Sequence, residues 1–373
     1  MNQYFSGVVP QLRERVRHLI SLIPRDLERD VDALIVICRT RLNAVGQELQ
    51  WLIESPELSL PENQATRVRL LRRTVSELDL LETVPIAALR RWGDEDRRMN
   101  RLLHRMSREI SYPLPTPVVT CTSQNYYRTY PHLNLVCVPL GESRFLLHLP
   151  DLYHELAHPL LALTNDPKIQ PLQQQCVALL STAQEYLAAE LKTEQTGRGP
   201  EAFRNYLLTW LQCWEGWAVE LFCDLFATYV LGPAFAWSHF HLSATRGTDP
   251  CYVPTYSVTT HPPDAARMEA ILQALRLSGY DTQASIVSGW WDAYLTALGA
   301  TTSPEFRRCF PQDILKKAAT LALDGTRAIG CSVMPEAKSG AVRGLLGEAW
   351  IQFWASPATY VEWEGAAVQG LVR

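Results

Sequence analysis

A predominantly helical α+β fold, with one small sheet before the chain's midpoint, is what this sequence predicts. Three observations carry that reading. Apolar residues recur at helical spacing through residues 10–54 and again from 264 onward. Short β-branched runs are concentrated between 113 and 150. No internal repeat or low-complexity tract interrupts the chain.

The elements follow in order. Residues 10–54 place Leu12, Val16, Leu19, Ile23, Leu27, Val31, Leu34, Cys38, Leu42, Val45, Leu49 and Leu52 on an amphipathic pattern. One or two helices fit it, with Pro24 a break or first-turn residue. SPELSLPENQ (55–64) reads as a loop. Helices are expected at 66–82 and 86–110, parted near Pro85. YPLPTP then acts as a linker, and VVTCTS (118–123), NLVCVPL (134–140) and FLLHL (145–149) are expected strands. Asp151, after Pro150, is expected to cap the next helix. A polar turn at 165–167, a helix near 170–192 and a loop at 197–200 follow. A long helix over about 201–231 ends at Gly232-Pro233. Residues 244–264 read as loop, and helices return at 264–278, 283–298, 303–323 and 340–370. The expected domains are a helical region (1–112), a core (113–275) and a second helical region (276–373).

The chain has 373 residues, enough to bury a sizeable core. It is 47% hydrophobic and 20% charged, with a formal charge of −4, so no global drive toward nucleic acid or anionic membrane is expected. The nine cysteines are scattered and form no CxxC pair. Several, Cys223 among them, sit in apolar runs and read as small hydrophobes. Neither a disulfide framework nor a cysteine zinc site is expected, and a reducing, cytoplasmic setting is. The N-terminus shows no targeting pattern. The most apolar stretch, 203–237, is interrupted by Arg204, Glu215, Glu220 and Asp224, so no membrane span is expected.

The most informative residues are His154-Glu155-Leu156-Ala157-His158. Histidines four apart share one helical face and can reach one metal ion. The glutamate between them can take the proton of a zinc-bound water. Zinc needs a third protein ligand, and Glu220 on the long helix offers one. Asp224, four residues on, shares its face and can accept the free ring N–H of a histidine. Glu215 is turned to another face and has no such aspartate. Downstream, Thr260-His261-Pro262-Pro263-Asp264-Ala265-Ala266-Arg267 supplies two groups, His261 and Arg267, able to stabilise an oxyanion. Tyr252 and Tyr256 are the next candidates for that role. Pro159, directly after His158, should bend the helix near the second ligand.

In this order, HExxH, then ExxxD, then an HPxxxxR-like segment, the chain resembles gluzincin metallopeptidases of the CAAX-prenyl-protease and HtpX type. The resemblance spans about residues 118–275. It implies a zincin-like core with Zn2+ held by His154, His158 and Glu220, and Glu155 as general base. It further implies Asp224 behind a histidine, His261 and Arg267 near the substrate, and NLVCVPL as a strand that aligns substrate backbone. A protein or peptide is then the expected substrate. The competing expectation is a non-catalytic binding or regulatory protein with a structural or vestigial metal site.

Other candidates read blandly. His239 and His241, two apart, suit no helix-face ligand pair. His148 reads as packing. Arg97, Arg101, His104, Arg105 and Arg108 form a solvated helix face or, alternatively, a dock for an acidic partner. Trp210, Trp214 and Trp217 read as core.

Overall fold

The computed structural model describes the chain except residues 25–30, 124–125, 163–165, 197–200, 337–339 and 373, and the side chains of 194–196, 201–204 and 371–372. The protein is 75% helical with one small mixed sheet of three strands among the described residues. It divides into two compact units, residues 1–100 with 117–140, and residues 101–116 with 141–373.

In the first unit, α1 (Asn2–Leu22), α2 (Asp32–Glu54) and α3 (Gln64–Leu81) turn their apolar stripes inward. Phe5, Leu12, Leu34, Leu42, Leu49 and Leu78 share one core. Residues 57–63 form two short 3-10 turns. The helix expected at 86–110 is broken. A π-helical turn (Glu82–Ile86) accommodates Pro85, a short α4 (Ala87–Arg90) follows, and α5 (Asp94–Glu109) starts anew. Gly93 marks the break, and its N–H donates to Asp96 Oδ2 at 2.8 Å.

The sheet has the order β1 (Val118–Thr120), β3 (Leu135–Cys137), β2 (Arg128–Tyr130). β1 runs parallel to β3 in the register Val118↔Leu135, and β2 runs antiparallel in the register Tyr130↔Leu135. Strands this short need outside support. Buried Asn100 gives it by taking the place of a neighbouring strand. Its amide accepts from Val119 N (2.9 Å) and donates to Val119 O (2.6 Å). The expected strand at 145–149 is not formed. There the chain turns, with His148 N bonded to Phe145 O, and Leu146 and Leu149 are buried without ladder pairing.

The second unit is built on helices α6 (Asp151–Leu161), α7 (Gln170–Thr196), α8 (Glu201–Leu231), α9 (Pro233–Arg246), α10 (Asp264–Leu277), α11 (Asp281–Leu298), α12 (Pro304–Cys309), α13 (Gln312–Ala328), α14 (Ala341–Ala355) and α15 (Tyr360–Val372). The patterns at 303–323 and 340–370 each split at a proline, Pro311 and Pro357. Asp151 starts α6 but does not cap it. Its carboxylate accepts from Ser238 Oγ at 2.9 Å, and Pro150 holds the cap position. Helix α6 also runs on through Pro159 to Leu161. No described helix is long and apolar enough to cross a membrane.

Candidate metal centre

Two helices of the second unit bring the motif residues together. Helix α6 is buried from Asp151 to Ala157, so His154 and Glu155 are each only 8% exposed. Helix α8 is buried all round from Glu220 to Leu231. A helix with no solvent face carries carboxylates only where cations or donors meet them. Glu220 and Asp224 lie four residues apart on α8 and face α6.

Each imidazole has a defined direction. His154 Nδ1 lies 2.8 Å from Asp224 Oδ1, so Nε2 points away from it and comes within 3.3 Å of Glu220 Oε2. His158 Nε2 lies 3.9 Å from Glu220 Oε1, while its Nδ1 lies 3.5 Å from Cys223 Sγ. His261, on the segment between α9 and α10, places Nε2 3.5 Å from Glu220 Oε2. Its Nδ1 lies 2.9 Å from Thr260 Oγ1. Glu220 Oε2 is buried and accepts no hydrogen bond in this arrangement, although His154 is close.

Asp224 is fully buried and braced from behind by Arg267 of α10. Arg267 Nε and Nη2 each donate to this carboxylate at 2.7 Å, a bidentate pair. The guanidinium is therefore committed to Asp224, and it is buried rather than open to a cleft.

The electrostatics follow from burial and pairing. Burial works against ionising Asp224, but the Arg267 charge wins and holds its pKa well below the usual carboxylate range. Burial also opposes a charge on His154, yet the adjoining carboxylates of Asp224 and Glu220 hold its pKa up at about 10. Glu220 is pushed the other way, to about 2, because the closeness and charge of His154 outweigh burial. His158 falls to about 4 through burial and the neighbouring His154. Burial lifts the Cys223 thiol well above its ordinary value, and the nearby carboxylates Glu220, Asp224 and Glu155 add to this. Among protein groups alone, the position between the imidazoles and Glu220 thus attracts positive charge.

His154, His158 and Cys223 offer ligand atoms within 4.8 Å of one another, a group able to hold a metal ion. Cys223 is the residue that sequence reasoning misses. Its position, three after Glu220 and next to Asp224, is the signal that could find it. Glu215, the rival carboxylate, is exposed, in contrast to Glu220. Tyr252 and Tyr256 are exposed at 55% and 80% and take no part in the cluster as it stands. His239 Nε2 lies 3.3 Å from the Asp264 carbonyl oxygen, and His241 stacks on His148 at 5.3 Å. Both lie on α9.

No family model matches this chain, and no curated protein or solved structure does either.

Proposed function

We propose that the protein is a zinc-dependent hydrolase that cleaves peptide bonds, with His154, His158 and Glu220 as its zinc-binding residues. One observation carries the reading most. The Nε2 atoms of both HExxH histidines face a single carboxylate, Glu220, whose Oε2 is buried and accepts no hydrogen bond. Two imidazoles and a carboxylate fit zinc. Glu220 is favoured over Cys223 as third ligand because Cys223 Sγ sits at the Nδ1 side of His158, where it can accept the ring N–H.

Bound zinc supplies Lewis acidity, which polarises a carbonyl and eases the deprotonation of water. The rest falls to the chain's own residues. Glu155, next to His154 on α6 and buried, takes a proton from water and passes it to the leaving amine. Asp224 holds His154 with Nε2 forward. Arg267 is assigned to positioning, through its two bonds to Asp224, rather than to the oxyanion.

A second reading is a non-catalytic binding or regulatory protein with a structural metal. The approach of His261 favours it, because a catalytic zinc needs a position open to water. Incubating zinc-loaded wild type and Glu155→Gln with a complex peptide mixture, followed by mass spectrometry, separates the two. Hydrolysis predicts new peptide termini with wild type and none with the variant, which keeps its zinc. A metal-loaded wild type that cleaves nothing supports the second reading. Cleavage by the variant removes Glu155 as the base.

A further inference from the structure

We propose that His261 is a fourth, displaceable ligand at this metal site, closing it in the conformation seen here. The proposal rests on the zinc reading above and concerns the state of its open position.

Zinc bonds of about 2.0–2.1 Å at the tetrahedral angle put neighbouring ligand atoms about 3.3–3.4 Å apart. Glu220 Oε2 lies 3.3 Å from His154 Nε2 and 3.5 Å from His261 Nε2. His158 Nε2 lies 3.9 Å from the other oxygen, Oε1. Three imidazoles thus converge on one carboxylate through the same ring atom.

Each of the three rings is also held from behind through Nδ1. The partners are Asp224 at 2.8 Å for His154, Cys223 at 3.5 Å for His158 and Thr260 at 2.9 Å for His261. A metal-binding imidazole is oriented by such an outer partner, which fixes its tautomer. His261 shares the arrangement of the two HExxH histidines.

The fold makes room for this approach. Gly216 lies one helical turn before Glu220 on α8. A Cβ there would come within 3.1 Å of the Thr260 carbonyl oxygen and 3.3 Å of its Cα. A side chain there would make the Thr260 backbone give by a few tenths of an ångström, so glycine eases this close approach to the Glu220 face. The same segment is tied to α8 by Trp210 Nε1 donating to Pro254 O at 2.8 Å and Trp217 Nε1 donating to Thr259 Oγ1 at 3.2 Å.

Exposure identifies the ligand that can leave. The side chains of His154 and His158 are 10% and 19% exposed, whereas that of His261 is 62% exposed. His154 and His158 are fixed on a buried helix. His261 arrives from the solvent side on a connecting segment. Substrate or an exogenous anion would reach the metal by displacing His261, so this residue limits access to the site.

Cobalt(II) replaces zinc as the probe. X-ray absorption counts imidazoles, and azide titration followed in the visible spectrum reports an exchangeable position. Wild type should show three imidazoles and bind azide weakly. His261→Ala should show two, bind azide at least about tenfold more tightly, and hold the metal at least about tenfold more weakly. Gly216→Ala, which pushes Thr260 away without touching a ligand, should shift azide affinity in the same direction. Two imidazoles in wild type, or equal azide affinity in wild type and His261→Ala, overturns the proposal. A wild type that takes up no cobalt overturns the zinc reading itself, before any comparison with the variants.

Discussion

His154 Nδ1 and Asp224 Oδ1 lie 2.8 Å apart, joining α6 to α8 at the point where both are buried. The bond sets which ring nitrogen of His154 faces Glu220. Asp224 can serve in this way because Arg267 neutralises it from the opposite side. A helix pair, an orientation and a charge balance thus meet in one carboxylate.

Asp224→Ala should therefore have two effects. Chelator competition should show zinc affinity lowered roughly 10- to 100-fold, because His154 loses its orienting partner. Denaturant unfolding should show a loss of about 3–5 kcal/mol, because Arg267 is left buried without its counter-charge. Unchanged zinc affinity would mean that Asp224 does not orient a ligand.

Asn100→Ala tests the support of the small sheet. The variant strips partners from Val119 N and Val119 O on β1, both inside the first unit. Each orphaned backbone group costs about 1–3 kcal/mol, so a clear drop in unfolding free energy is expected. Hydrogen exchange should quicken first at residues 118–120. Protection at those amides equal to wild type would contradict this account of β1.

His148 gives a pH dependence away from the metal site. Burial opposes its charge, but the bond to Glu142 at 3.0 Å and the charges of Glu142 and Asp151 outweigh burial and the opposing Arg246. The folded-state pKa is therefore raised above the ordinary imidazole value, while the ring also stacks on His241. The stabilisation is full below the unfolded pKa, about 6.5, and is lost as pH rises through the folded value. Wild type should exceed His148→Gln by on the order of 1 kcal/mol below the unfolded pKa, discounted for a side chain 26% exposed, and the difference should shrink as pH rises through the folded value. A difference that grows with pH would contradict the assignment.

Much of the fold and part of the site are legible in the sequence. The long helices are, because apolar spacing and bounding prolines are local signals. The i, i+4 pairs His154/His158 and Glu220/Asp224 are legible for the same reason, since helix geometry alone puts each pair on one face. Strand β2 (128–130) is not, because Arg128-Thr129-Tyr130 lacks the apolar, β-branched run that marks 118–123 and 134–140. FLLHL reads as a strand because burial in a turn and burial in a strand demand the same apolar residues. Asp151 looks like a cap, but a tertiary partner, Ser238, competes for its carboxylate. The closeness of His261 to Glu220 depends on Thr260 packing over Gly216, a contact between segments 44 residues apart that no local pattern encodes. Cys223 is hidden by its apolar neighbours.

The identity of the third ligand is the central claim, and metal content tests it most directly. Wild type, Glu220→Ala and Cys223→Ser are loaded with zinc, passed over a desalting column and measured by elemental analysis. About one zinc per chain is expected in wild type and in Cys223→Ser, and clearly less in Glu220→Ala, where only the imidazoles remain. Zinc retained by Glu220→Ala and lost from Cys223→Ser would contradict it, and would place the metal on the His154, His158 and Cys223 group instead.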